Sequence, residues 1–204
     1  MLKKILLAAL IVTSAVFAQV QVGGRIAFNY GGVWGNPQSD EIDWGAGFIL
    51  GPEVKYSFDP MVSLISGLQL DYRRISNDYF VEYNRDIDPD LRNYTVTETT
   101  SFMYLDIPVL IRFNPVSFFF VNAGFTLDFN LSANFVQEYD DETISDDVST
   151  GVKTFEFGLA CGLGFELSEF ELNFRAVFGM TGVSKNTDKF KHLRLQAGLT
   201  YWAF

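Results

Sequence analysis

A period of two runs through almost the whole of this chain, and no other feature limits its folding choices so strongly. Eight runs alternate apolar side chains with small or polar ones, and the connections between them are alternately short and long. Successive residues of a strand point to opposite faces, so each run has one apolar side and one polar side. In the first run Val22, Ile26, Phe28, Tyr30 and Trp34 share one parity, and Arg25, Ala27 and Asn29 share the other. The second sets Trp44, Phe48, Leu50, Val54, Tyr56 and Phe58 against Gly45, Gly47, Gly51, Glu53, Lys55 and Ser57. The third spans Val62 to Arg73, and the fourth ends at Phe113 with Met103, Leu105, Ile107, Val109 and Ile111 on its apolar side. Runs from Phe119 to Leu131, Phe155 to Leu167, Phe170 to Gly179 and Leu193 to Tyr201 complete the set. The pattern predicts an all-β fold, an eight-stranded antiparallel up-and-down transmembrane β-barrel.

Alternation alone does not say which face is inside. A soluble barrel of lipocalin type would turn its apolar face to a ligand cavity and its polar face to water. Glycine dominates the polar face of the second and sixth runs, which suits a crowded, narrow lumen, and aromatics gather near strand ends on the apolar face, which suits two membrane interfaces. The membrane reading is therefore preferred. A closed barrel satisfies every backbone group in lipid without helices, and no long apolar run is available for a helix after the N-terminal segment.

That segment has its own signature. Met1-Leu2-Lys3-Lys4 is a basic start, Ile5 to Phe17 is apolar, and Val16-Phe17-Ala18 offers a cleavage site before Gln19. Residues 1–18 are expected to be a secretory signal peptide that is cleaved, leaving 19–204 as one outer-membrane barrel domain. A spanning helix needs roughly 20 apolar residues. The lone Cys161 excludes an intramolecular disulfide and lies far from the cleavage site, so no lipoprotein anchor is suggested, and one cysteine with one histidine makes no zinc site.

Asp59-Pro60, Asn114-Pro115-Val116-Ser117 and Ser168-Glu169 read as tight turns, whereas 35–43, 76–98, 132–152 and 181–189 read as long loops. Outer-membrane barrels have short periplasmic turns and long extracellular loops, so both termini are expected in the periplasm of a diderm bacterium.

Tyr104-Leu105-Asp106-Ile107-Pro108-Val109-Leu110-Ile111-Arg112-Phe113 closely resembles the Y-L-[ED]-I-P-L-L-[LI]-[KR]-[YF] segment of the PorT-type outer-membrane β-barrel family. Residues Phe155 to Glu166 resemble that family's F-x-x-G-L-x-x-G-x-G-x-E segment, and Phe170 to Arg175 followed by Phe178-Gly179-Met180 is similar to its next strand. The resemblance implies an eight-stranded barrel of diderm bacteria and supplies no catalytic residues. One named branch takes part in protein secretion. A terminal aromatic for the barrel-assembly machinery is also expected, but Phe204 has the opposite parity to Leu199 and Tyr201 and would need a bulge to face outward.

The inward set holds Arg25, Lys55, Arg73, Arg112, Arg175 and Arg194 with Glu53, Asp71, Asp106, Asp128, Glu156, Glu166 and Glu171. Burying any of these unpaired costs several kcal/mol, so a salt-bridged, plugged lumen is expected over an ion-conducting pore. Pro108 removes a ladder hydrogen bond, which predicts a local irregularity there.

Loss of residues 1–18 removes Lys3 and Lys4 and no acid, which moves the formal charge from −10 to −12. Most of the excess lies in the loops. Asp86, Asp88 and Asp90 are spaced like the start of a calcium loop, with Leu91 where glycine is needed and Thr97 where the bidentate glutamate belongs. Glu138, Asp140, Asp141, Glu142, Asp146 and Asp147 form a second acidic patch. Weak calcium or magnesium binding at Asp86, Asp88, Asp90, Asp140, Asp141, Asp146 or Asp147 is one reading, and a solvated acidic surface is the plainer one. Otherwise no cofactor is expected. Expected partners are outer-membrane lipid, the barrel-assembly machinery and an envelope protein, not nucleic acid, which prefers basic patches.

Ser184 and Asp188 adjoin His192, but their spacing matches no nucleophile motif, so a non-enzymatic barrel is expected and His192 reads as an interface or lumen-mouth residue. The remaining functional expectations are a structural role or presentation of acidic loops, then a secretion assembly or a narrow channel, with a lipid-modifying enzyme the remotest.

Overall fold

The computed structural model describes residues 19–34, 44–81, 94–139, 142–185 and 190–203. Its strands are β1 (Val20–Trp34), β2 (Trp44–Ser57), β3 (Val62–Gly67), β4 (Gln69–Val81), β5 (Tyr94–Val116), β6 (Phe119–Tyr139), β7 (Glu142–Asp147), β8 (Phe155–Leu167), β9 (Phe170–Gly179) and β10 (Lys191–Trp202). All pairings are antiparallel. Neighbours run from β1 through β2, β3 with β4, β5, β6, β8 and β9 to β10, which pairs back with β1 and closes a ring of eight.

β3 and β4 are one barrel strand interrupted at Leu68. The register carries Pro52 opposite Leu68 on one side and Pro108 opposite Gly67 on the other. Leu68 donates its N–H to the Pro52 carbonyl at 3.1 Å, but neither proline has an N–H to return. The irregularity expected at Pro108 thus appears in its neighbour. Pro108 itself stays in register with Thr126, and the shifts between β5 and β6 fall at Met103/Tyr104 and Phe113/Val116.

The first shift corrects the loop boundaries. Leu131 is the extra residue between Asn130, which pairs with Tyr104, and Ser132, which pairs with Met103, so parity flips and Ala133 points inward. β6 then continues to Tyr139 and turns back as β7, so most of the expected 132–152 loop is a hairpin. Likewise β4 and β5 run through Ser76–Val81 and Tyr94–Glu98, inside the expected 76–98 loop. Below Tyr72 and Ser101 the outward side chains of these strands are apolar, among them Leu70, Leu105 and Ile111. Above them come Arg74, Ser76, Thr97 and Thr99, followed by Asn134 and Glu138 on β6. Lipid-spanning strands need about 9–11 residues. β5 has 23 and β6 has 21. The upper halves of β4, β5 and β6, with β7, therefore form a sheet that projects beyond the apolar band.

Aromatic pairs mark both ends of that band. Tyr30 stacks on Trp44 and Phe129 approaches Phe155, both at 5.3 Å, on the loop side, while Phe119 meets Phe165 at 5.6 Å and Phe170 meets Tyr201 at 5.2 Å on the turn side. The turns are short. Asp59 Oδ1 accepts the N–H groups of Met61 and Val62 at 2.7 and 2.9 Å, and Ser168 takes φ 62°, the left-handed conformation its two-residue turn with Glu169 requires. The third turn lies at Ser117–Phe118, because β5 extends through the expected Asn114-Pro115-Val116 turn.

The loops 35–43 and 186–189, the segment 1–18 and Phe204, with the bulge expected before it, lie outside the described residues.

Candidate functional site in the barrel lumen

Inward parity concentrates the charged residues along the axis. At the turn end, Arg112 donates from Nη1 and Nη2 to the two Glu171 oxygens at 2.7 Å each, and Nη1 also reaches Glu166 at 3.0 Å. Its guanidinium lies 3.7 Å over the Phe120 ring. Lys55 reaches Glu166 at 3.5 Å and sits 5.0 Å over Trp202, whose indole N–H donates to Glu171 at 3.0 Å. Lys55 and Glu166 line an open mouth of about 480 Å³ with Gln19, Ser63 and Asn114.

Deeper in, Arg25 donates to Asn173, Gln69 and Gln196 at 3.0–3.3 Å. Gln69 and Thr200 in turn donate to Glu53 at 2.7 and 3.2 Å, and Arg175 approaches Glu53 at 3.5 Å. Towards the loop end, Asp71 accepts from Arg73 at 2.8 Å, from Arg194, and from Asn29 at 2.5 Å. Arg194 and Arg73 also bracket Asp128 at 2.8 and 3.0 Å. Asp106 is fully buried, with Arg194 3.9 Å away.

His192 joins this set, which corrects its expected place at an interface or mouth. It is 3% exposed, with Nδ1 2.8 Å from Glu156 and 3.1 Å from Arg73. Glu156 also accepts from the Tyr104 hydroxyl, and Arg73 lies 3.8 Å over the Tyr104 ring. The inward acids named above exceed the lysine and arginines by one, and His192 is the remaining basic group beside them. Its parity, shared with Arg194 and Gln196, was a signal available in the sequence. Several inward residues are apolar although their parity is that of the polar face: Ile49, Ile65, Leu110, Val177 and Trp202 fill space between the polar layers. The packing leaves no room for added carbon at Gly47, where a Cβ would run into the Tyr72 carbonyl and Asn29 Oδ1.

An apolar cap covers the loop end. Phe102, Tyr104 and Ala133 from the wall pack with Val152 and Val183 from two connections. Those connections hold each other: Lys153 donates its N–H to Val183 at 2.7 Å, Lys185 to Gly151 at 3.0 Å, and Val152 bridges Ser184. Ser184 thus belongs to the cap, and the carboxylate on His192 is Glu156. Asp188 lies outside the described residues. His192 Nε2 has no hydrogen-bond partner, so among the described residues no hydroxyl or thiol stands against it as a nucleophile.

Of the candidate cation ligands, Asp86, Asp88, Asp90, Asp140 and Asp141 lie outside the described residues, while Asp146 and Asp147 are exposed on β7. No group of three or more histidine, cysteine or acidic residues is arranged to hold a metal ion among the described residues. Asp147 Oδ1 accepts the Ser149 N–H at 2.9 Å, and bonds from Ser149 hold this carboxyl below its usual range. Cys161 faces outward.

A closed ring of eight antiparallel strands, apolar outside and charged inside, is the geometry of an outer-membrane barrel, and the sequence agrees. Residues 17–185 match the family model described as outer membrane protein beta-barrel domain. The chain belongs to this family. Its fold is similar to that of Ail, the attachment invasion locus protein of Yersinia pestis, at 11% identity over 91% of this chain and 99% of that one, with a TM-score of 0.52. Neisserial surface protein A aligns at 13% identity over 90% and 96% of the two chains, with a TM-score of 0.43. A major outer membrane protein from Thermus thermophilus aligns at 13% over 88% and 99%, also with 0.43. At these identities the likeness to Ail concerns the fold alone. No curated protein matches the sequence. The β-barrel domain places the chain in the bacterial outer membrane, crossing with strands.

Proposed function

We propose that this barrel is a non-enzymatic outer-membrane protein with a non-conducting lumen, both termini in the periplasm, and a projecting sheet that carries acidic residues to a partner outside the cell. The observation that carries this reading is the filled lumen. Charged layers cross it from wall to wall, and Val152 and Val183 cover its loop end. Planar-bilayer recordings on the folded protein at several salt concentrations test it, and the expected outcome is silence. Discrete, reproducible conductance steps would instead make the inward charges a selectivity device.

The arrangement around His192 supports a non-enzymatic reading, because among the described residues no nucleophile faces its free nitrogen. His192→Ala is expected to leave the lipid A profile of the host membrane unchanged. A changed profile would return the enzyme reading.

A PorT-type role in a secretion assembly is the second reading, favoured by the Tyr104–Phe113 segment. That segment contributes Tyr104, Asp106 and Arg112 to the lumen, so it reports on barrel construction more directly than on a partner. Co-purification of other envelope proteins with the barrel after mild cross-linking would support it.

A further inference from the structure

The projecting sheet ends in an open edge. Among the described residues β7 pairs with β6 and with no other strand, and it is the last strand in the sheet order. Thr143, Ile144, Ser145, Asp146 and Asp147 are all exposed, Ile144 by 48%, so none of the described residues lies over this strand.

Antiparallel pairing fixes which backbone groups are free. The Val148 N–H donates to the Ala133 carbonyl at 3.0 Å, so Ala133 and Val148 form a hydrogen-bonded pair. Such pairs recur at every second residue. Asp146 and Ile144 therefore bond to Phe135 and Gln137 of β6, while the N–H and C=O groups of Thr143, Ser145 and Asp147 point away from the sheet. A row of unpaired backbone groups of this kind is a template for another strand. Bulges, prolines and lysines commonly blunt such edges, and the described part of β7 has none of them. Asp146 and Asp147 supply negative charge instead, with Glu138 exposed on the adjoining strand.

We propose that the edge of β7 captures an extended, basic polypeptide segment as an additional strand. Backbone hydrogen bonds to Thr143, Ser145 and Asp147 supply the affinity, and lysine or arginine opposite the acidic residues supplies the preference. The inference rests on the outward presentation proposed above and names the class of partner for that surface.

The test uses the protein in lipid nanodiscs and a soluble decapeptide alternating lysine and threonine. Its control has the same charge, with two threonines replaced by proline. The alternating peptide is expected to slow amide exchange at Thr143, Ser145 and Asp147 at least tenfold and to bind at least tenfold more tightly than the control. Ser145→Pro removes an outward N–H without touching a bond to β6, so the hairpin survives and the tenfold preference disappears. Asp146→Asn with Asp147→Asn weakens binding several-fold while keeping the pattern of protection. Equal binding of both peptides, no binding, or protection confined to other strands overturns the proposal. Labelling Asn134→Cys on intact cells with a membrane-impermeant maleimide separates the two readings. Absence of labelling sinks outward presentation itself, whereas labelling without peptide capture sinks only the edge.

Discussion

β5 and β6 pass through two environments, and their lower and upper halves obey opposite rules. In the lower half, Ile111, Val109, Phe125 and Val121 face outward while Arg112, Asp106, Asp128 and Asn122 are buried within. Past Ser101 and the Leu131 bulge, the outward positions become Thr99, Thr97, Asn134, Val136 and Glu138, all but one of them polar, and the inward ones include Val96, Phe102 and Ala133. One hydrogen-bonded ladder thus carries an apolar-out pattern and then a polar-out pattern. The difference teaches that the ladder sets the geometry, whereas the solvent on each side sets the composition.

The largest break in this contrast is expected from Asp71→Asn. It deprives Arg73 and Arg194 of a shared buried carboxylate, a loss of about 3–5 kcal/mol. Urea titration followed by the heat-dependent gel mobility of the folded barrel measures it, and an unshifted midpoint would contradict the network. Phe125→Arg, at the centre of the outward apolar run of β6, should cost about 2–4 kcal/mol in the same titration. Gly47→Ala forces a carbon against the Tyr72 carbonyl and should cost about 1–3 kcal/mol, read as a lower melting temperature. The smallest effect sharpens the comparison: Asn134→Arg, on the same strand as Phe125 but above the bulge, should change stability by less than about 0.5 kcal/mol. A cost matching that of Phe125→Arg would place the upper sheet in lipid.

The fold was legible in the sequence because lipid and a packed lumen impose parity on every residue between them. Where lipid ends, the signal ends. Thr95, Thr97, Thr99 and Thr100 favour strands by their branched side chains, yet without an apolar partner at alternate positions the segment reads as a loop. Leu131 hides for a related reason, since an outward leucine continues the apolar run although it is the residue that flips the parity. The inward charges were legible as a set, but their pairing was not. Asp71 meets Arg194 across β4, β2, β1 and β10, and only the closed ring makes them neighbours. Along the chain His192 adjoins Ser184 and Asp188, but its partner Glu156 comes from β8, two strands away around the ring.

The pairing of β1 with β10 joins residues separated by almost the entire chain, from Gly23 with Trp202 to Trp34 with Lys191. Contacts this distant in sequence form slowly, because the ends must meet before any of their bonds are gained. Until they meet, Arg25 on β1 lacks Asn173 and Gln196 from the last two strands, and the half-built wall would expose bare charge to hydrocarbon. Insertion and closure are thereby coupled, and β10, the strand that closes the ring against β1, is the one that commits the barrel to the membrane.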